Sequence, residues 1–518
     1  MSYLQKKVDR LFAAWDKKNS PGCALGIIRY GKFLYARGYG MANLEHSVPI
    51  TPDSVFDVAS TSKQFVAACV AILARRKKLN LDDEIHKHLV EMPKYRYPVT
   101  IRHLIHHTSG VRDYLTLMDL AGLRYENEYS DEEITGLIAR QKRLNFRPGS
   151  AYLYSNSGYL LLGEIVKRVS GLTLRQFAHQ QLFAPLGMSS THFHDDFTEI
   201  VKNRAAGYAA GKDGPRISIS IFDVVGDGGL NTTLNDLLLW DRNFYANCLG
   251  GFGGKLIEEL TTPGRLNSGK ELNYAFGLFT EPYRGLKTVH HGGSWLGYRC
   301  ELVRFPEQKF SVICLSNTEA MNAISLARGV ADLYLTEEFT QPKTQAAYGP
   351  GRASTGKIKC KTGIYLNPKT GVTAVLSNKG GYKLELSGNT HQLNRVSAVS
   401  LREKNGAVQL DLEGEAKFTY SPRGGQKAVY SWLPTYNITA ARSRRLAGNY
   451  YCDELNTSYG ITAKGKTLKL NRKGAPEETL VPLKKDLFKA GPYITLRFKA
   501  GSFSLVAGRV KNIRFSKR

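Results

Sequence analysis

The stretch VFDVASTSKQF, residues 55–65, decides how the rest of this chain reads. A polar cluster, Ser60-Thr61-Ser62-Lys63, runs at once into the apolar segment Phe65-Val66-Ala67-Ala68-Cys69-Val70-Ala71-Ile72-Leu73-Ala74. Such a segment predicts a buried helix that starts at the cluster. Residues three apart on a helix share a face, so Ser60 and Lys63 stand about one turn apart on the same side. A serine hydroxyl is a weak nucleophile until a neighbour takes its proton. Burial against the apolar run would pull the lysine down from its ordinary pKa of about 10.4, towards a base that works near neutral pH. The helix start adds free N–H groups and the positive end of the dipole, both suited to an oxyanion. Taken alone, Ser-x-x-Lys also fits an N-capping serine followed by a surface lysine.

Two further stretches supply partners. RPGSAYLYSNSGYLLLGEIV, from residue 147, sets Tyr154-Ser155-Asn156 in a polar loop just before an apolar helix. A phenol beside a lysine ammonium has its pKa lowered, and would relay the serine proton to a leaving group. Asn156 offers an amide to hold Lys63 or a substrate carbonyl. Further on, KTVHHGGSWLGYRC presents His291-Gly292-Gly293-Ser294. Its glycines let backbone pass close to a ligand, its strand edge suits an extended peptide, and the Ser294 N–H is a second candidate oxyanion donor.

The chain has 518 residues, 42% hydrophobic and 23% charged, which is ordinary globular composition but too long for one core. Up to residue 338, helical signals at 63–78, 131–142, 158–170, 234–246 and 319–335 alternate with strand signals. CALGIIRYGKFLYARGYGMAN reads as two strands around a turn at 30–32, and TVHH, GYRCELVRF and FSVICLSN read as an antiparallel meander. That mixture predicts an α+β domain. Residues 339–356, rich in Pro, Gly, Thr and Gln, read as a linker. Two series of short alternating strands follow, over 357–434 and 435–518, each predicting a small antiparallel barrel or sandwich. Gly363-Ile364-Tyr365 and Gly448-Asn449-Tyr450 open the two series alike, which suggests a duplicated module.

Charge divides unevenly. Residues 339–518 carry 32 Lys+Arg against 10 Asp+Glu, a balance of +22, whereas 1–338 carry 40 against 35, a balance of +5. The basic third suits an anionic surface or wall polymer, or is simply a well-solvated face. Its lysines are dispersed and no nucleic-acid motif accompanies them, so no specific nucleic acid is expected. No apolar run reaches the length of a transmembrane helix, and the amino terminus lacks a signal peptide's apolar core. The expected compartment is the cytoplasm for the chain as given, and the periplasm or exterior if a leader precedes it. Seven scattered cysteines read as free thiols, with Cys69 and Cys314 in apolar runs as packing residues.

Ser60-x-x-Lys63, Tyr154-x-Asn156 and His291-x-Gly293 have the order and approximate spacing of the penicillin-recognising serine hydrolases, which this sequence resembles over about residues 5–338. TIRHLIHHTSGVRDY, LFAPLGM and GDGGLNTTLNDLLLW extend the resemblance. It implies an antiparallel sheet flanked by helices, an all-helical lobe, and an active site at their junction. Ser60 would be acylated, Lys63 and Tyr154 would share proton transfer, and water would release the acyl group, without a cofactor. His-x-Gly replaces the Lys-Thr-Gly of most β-lactamases and looks more like the D-aminopeptidase and esterase branches. The two terminal β modules resemble the layout of D-stereospecific aminopeptidases, in which a loop of the last barrel reaches the active site. Its equivalent would lie within 473–492, where Glu477, Glu478 or Asp486 would meet a substrate ammonium, unless they are ordinary surface acids.

The expected activity is therefore an acyl-enzyme peptidase or amidase on short D-residue peptides. An esterase or weak β-lactamase would use the same residues, and a non-catalytic wall-binding sensor would not need them all. Asp227 in GDGG either binds a substrate amine or caps its own turn. His106-His107 and His290-His291 lack a carboxylate at ligand spacing, so no metal is expected. Trp295 and Tyr298 line either a substrate pocket or the core.

Overall fold

Arg29 and Lys32 face each other across a two-residue turn in which Tyr30 (φ 51°) and Gly31 (φ 72°) are both left-handed. That is the primed geometry whose twist matches a hairpin, and glycine takes it without penalty. The hairpin strands, Cys23–Arg29 and Lys32–Tyr39, close one side of a five-stranded antiparallel sheet. The strands Phe310–Ser316, Tyr298–Phe305 and Val289–Trp295 continue it in that order, so Val289–Trp295 is an edge strand. Residues 23–28 read as an unbroken run without a charge because both faces of the strand are covered there. Cys23, Leu25 and Ile27 pack with Val8 and Phe12 of the helix Tyr3–Phe12 and with Ala327 and Val330 of the helix Ala323–Tyr334. Gly26, on the opposite face, lies against Leu234 of the helix Leu234–Asn243.

The computed structural model describes residues 3–341, 359–403, 408–422 and 427–518. Two compact units account for the chain. The first, Met1–Val111, Tyr125–Ala139 and Phe146–Lys343, holds the sheet and the helix Lys63–Arg75, in which Lys63 through Leu73 are all buried. The second, Arg112–Arg124, Arg140–Asn145 and Thr344–Arg518, holds two closed eight-stranded antiparallel barrels. The expected linker falls mostly on residues outside those described. Among the described residues no helix is long and apolar enough to cross a membrane, and all seven cysteines are unpaired.

The barrels repeat each other in detail. Their first strands, Gly363–Leu366 and Gly448–Cys452, begin on glycines with φ of 120° and 142°. Tyr365 and Tyr450 each donate a phenol hydrogen bond to the carbonyl four residues back, Lys361 at 2.6 Å and Leu446 at 2.8 Å. The pairing of the fourth strand with the fifth is bulged in both, at Arg395/Ser397 and at Pro482/Lys484. These are the strands whose sequence gives no alternating signal: Asn389–Ser397 is largely polar, and Glu478–Lys484 contains a proline.

The stretch 473–492 is mostly strand. It forms the strands Glu478–Lys484 and Leu487–Ala490 of the second barrel, and its acids already have cationic partners. Glu477 pairs with Lys469, Glu478 with Arg472 and Asp486 with Arg442. The stretch is barrel wall despite its broken alternation, and its carboxylates are engaged within the unit.

Within the second unit, Arg112 is fully buried and satisfied. Its guanidinium donates to Gln141 Oε1 and Glu454 Oε1, both at 2.9 Å, and to the Lys511 carbonyl at 3.0 Å.

Candidate active site

A short ladder positions Ser60. Phe56–Asp57 pairs with Leu230–Thr232, and the Val58 N–H donates to the Leu230 carbonyl at 2.9 Å. Asp57 Oδ1 accepts from the Ala59 N–H at 2.6 Å. Ala59 has φ 45°, a left-handed conformation that costs an L residue about 1 kcal/mol or more, immediately before the serine. Ser60 then lies in a 3-10 turn, Ala59–Ser62, and the α-helix begins only at Lys63. Residues i and i+3 eclipse in a 3-10 turn, so the tighter winding sets Ser60 directly over Lys63. Ser62 locks the turn by donating to the Ala59 carbonyl at 2.5 Å and accepting from the Leu230 N–H at 3.1 Å.

Lys63 is fully buried. Its Nζ lies 3.1 Å from Ser60 Oγ, 3.0 Å from Asn156 Oδ1 and 2.5 Å from the Asp227 carbonyl. Three acceptors match the three donors of an ammonium. The same arrangement suits the neutral amine, with two N–H bonds to Asn156 and Asp227 and its lone pair towards the serine proton. The geometry therefore accommodates the proton on either side of the Ser60–Lys63 contact. Lys63 Nζ also lies 5.0 Å from the ring centre of Tyr154 and 5.7 Å from that of Tyr159.

Asn156 opens the helix Asn156–Ser170, and the loop before it is pinned by His107, whose Nδ1 accepts from the Ser155 N–H at 3.1 Å. The half-buried Tyr154 ring lies 4.2 Å from the His107 ring and 6.2 Å from that of His291. Asp227 also contributes through its backbone, which the sequence reading did not include: the turn offers its carbonyl to Lys63.

The edge strand is seated against the nucleophile turn. Thr61 Oγ1 donates to the His291 carbonyl at 3.1 Å. A Cβ on Gly293 would lie 2.1 Å from the Val58 carbonyl oxygen, so only glycine permits the approach. A Cβ on Gly292 would point the other way, towards Glu301 and Ile324. His291 is buried, and its Nδ1 donates to the Gly292 carbonyl at 2.6 Å, which leaves Nε2 to accept from the Tyr274 hydroxyl at 3.3 Å. Burial and the Lys63 charge push His291 down to about 3, so it is neutral at physiological pH. His290 takes the opposite course: burial alone would lower it, but Glu301 and Glu281 hold it above the ordinary range. Ser294 is exposed on the strand, and Tyr298 is buried with its hydroxyl on the Ala205 carbonyl at 2.6 Å.

The structure thus gathers Ser60, Lys63, Tyr154, Asn156, the Asp227 backbone and the 291–294 strand in one unit. Sequence reasoning missed Tyr159 and Tyr274, whose phenols burial holds well above the ordinary range, and it missed the loop-pinning role of His107. Tyr274 and His107 reach the site only through tertiary packing, whereas Tyr159 follows Asn156 by one turn of its helix. Elsewhere, ligand atoms of His192, His194 and Glu199 lie within 4.8 Å of one another. Arg204 donates to His194 Nε2 at 3.1 Å, and Arg175 grips both oxygens of Glu199 at 2.7 and 2.8 Å. A ligating imidazole wants an acceptor on its far nitrogen, whereas the far nitrogen of His194 faces the Arg204 guanidinium.

The beta-lactamase family model matches residues 8–335. A D-aminopeptidase of Gluconobacter oxydans is 26% identical over 84% of this chain and 80% of its own. Penicillin-binding protein 4* of Bacillus subtilis is 28% identical over 61% of this chain and 72% of its own. An octameric penicillin-binding protein homologue from Pyrococcus abyssi shares the fold over 99% of both chains, with a TM-score of 0.56 at 21% identity. The chain belongs to the beta-lactamase family. It is an enzyme, a serine hydrolase carrying the Ser-x-x-Lys motif typical of that family.

Proposed function

We propose that the protein hydrolyses short peptides or amides bearing a D-residue, through an acyl-enzyme on Ser60. The contact of the fully buried Lys63 Nζ with Ser60 Oγ carries this reading. Ser60 Oγ attacks the substrate carbonyl while its proton passes into the Lys63–Tyr154 pair. The oxyanion meets the backbone N–H groups of Ser60 and Ser294, the leaving amine takes the proton back, and water then releases the acyl group. His291 weighs on substrate choice. A neutral imidazole whose Nε2 accepts from Tyr274 gives a substrate carboxylate no fixed cation. That favours amides and peptides over β-lactams, whose recognition relies on such a charge. Similarity to bacterial D-aminopeptidases over more than four-fifths of the chain supports the same choice. The proposal extends to the basic third of the chain, +22 over residues 339–518, as a surface for an anionic polymer. Co-sedimentation with such a polymer, abolished by salt, is the expected result there, and salt-independent or absent binding refutes it.

Initial rates on D-alanine p-nitroanilide, its L-enantiomer, p-nitrophenyl butyrate and nitrocefin test the substrate class. The D-anilide should have the highest kcat/KM. A dominant ester or nitrocefin rate overturns the assignment.

A further inference from the structure

Trp295 ends the edge strand two residues beyond Gly293. Side chains two apart on a strand point to the same face, and the Gly293 Cβ direction runs to Val58 beside the nucleophile turn. Trp295 therefore projects on the Ser60 side, about 7 Å further along the strand. There its ring meets Phe222 at 5.9 Å and Tyr125 at 6.1 Å, and Phe222 in turn meets Tyr129 at 5.9 Å. Four aromatic rings from three separate segments form this row, and all four are only half-buried. Tyr298 and Trp240, by contrast, are buried in the core of this unit. A partly exposed row beside a catalytic strand has apolar area left for a ligand.

We infer that Trp295, flanked by Phe222 and Tyr125, is a specificity subsite that takes an aromatic or large apolar side chain on the acyl part of the substrate. The inference rests on the proposed D-amide activity. An extended substrate laid along the edge of Val289–Trp295 beyond His290, which already pairs with Phe279, places alternate side chains on the two faces of that edge. A side chain on the Ser60 face, next to the acylated carbonyl, then falls on the Trp295 ring. The geometry selects by ring stacking and apolar contact, so it discriminates a phenylalanyl from an alanyl acyl group without touching the bond-breaking machinery.

The test compares kcat/KM for D-phenylalanine and D-alanine p-nitroanilides in the wild type, in Trp295→Ala and in Trp295→Phe. The wild type should prefer the phenylalanine substrate, Trp295→Ala should lose about tenfold of that preference, and Trp295→Phe should restore most of it. If Trp295→Ala does not fold, Phe222→Ala reads the same ratio. Equal effects on both substrates overturn the subsite. If the wild type cleaves neither anilide, the substrate reading falls by itself. The ratio of p-nitrophenyl phenylacetate to p-nitrophenyl acetate hydrolysis then judges the subsite, and an unchanged ratio in Trp295→Ala refutes it.

Discussion

Gly293→Ala probes how closely the edge strand must approach the nucleophile. The new Cβ would stand 2.1 Å from the Val58 carbonyl oxygen, 2.5 Å from Cys300 Sγ and 3.0 Å from the Val58 carbonyl carbon. A carbon–oxygen contact relaxes only beyond about 3 Å, so the strand and the turn must part by about 1 Å. Neither atom of the Val58 carbonyl can rotate aside as a side chain would. The residue is tied through its N–H to Leu230 and through its carbonyl to Cys300. Overpacking of this kind costs about 1–3 kcal/mol, enough to lower Tm by several degrees. The same displacement moves the Ser294 N–H away from Ser60, and a misplacement of about 1 Å costs about a hundredfold in rate. Acylation by a fluorescent phosphonate, followed against time, should thus slow far more than the loss of folded protein explains. Gly254→Ala is the control, because a Cβ there meets nothing within 4 Å and the residue opens a helix. Wild-type labelling and wild-type Tm in Gly293→Ala would refute the seating of the strand on the turn.

Lys63→Met should cut phosphonate acylation by about 10²- to 10⁴-fold while Ser60 stays in place, and a rate within tenfold of wild type removes Lys63 from proton transfer. The pKa of His291 sets an acid dependence: depressed to about 3 when folded and about 6.5 when unfolded, it contributes stability present above about pH 6.5 and lost as pH falls through about 3. His291→Gln should therefore lose less urea resistance between pH 7.5 and pH 4.5 than the wild type, and parallel losses contradict the assignment. Arg112→Met leaves the Glu454 carboxylate without its cation, though still held by the Lys142 N–H at 2.7 Å, and should cost about 3 kcal/mol in denaturant unfolding. Adding Glu454→Gln should return much of that loss, and an additive double variant rejects the pairing.

The local part of the site was legible from sequence. Ser60 and Lys63 are joined by a spacing of three, and the Tyr154-x-Asn156 and His291-x-Gly293 pairs declare themselves through polar residues set in apolar surroundings. What the spacing hid was backbone. Ala59 must adopt a left-handed conformation, the helix begins three residues later than the polar cluster suggests, and Asp227 contributes a carbonyl, which every residue type possesses. Tyr274 and His107 gain their roles only when distant segments fold together. In the barrels, strongly alternating strands such as Tyr382–Leu386 and Thr467–Arg472 were plain. The fourth and fifth strands of each were not, because a bulge and polar or proline positions break the period of two. For the same reason 473–492 left two readings open, acids that meet a substrate ammonium or ordinary surface acids, and its acids are paired within their own unit.

Intact-mass measurement after reaction with the fluorescent phosphonate, followed by peptide mapping, tests the nucleophile itself. The account predicts one adduct per chain, on the peptide carrying Ser60, absent in Ser60→Ala and strongly slowed in Lys63→Met. An adduct on any other residue, or equal labelling of Ser60→Ala, would contradict it.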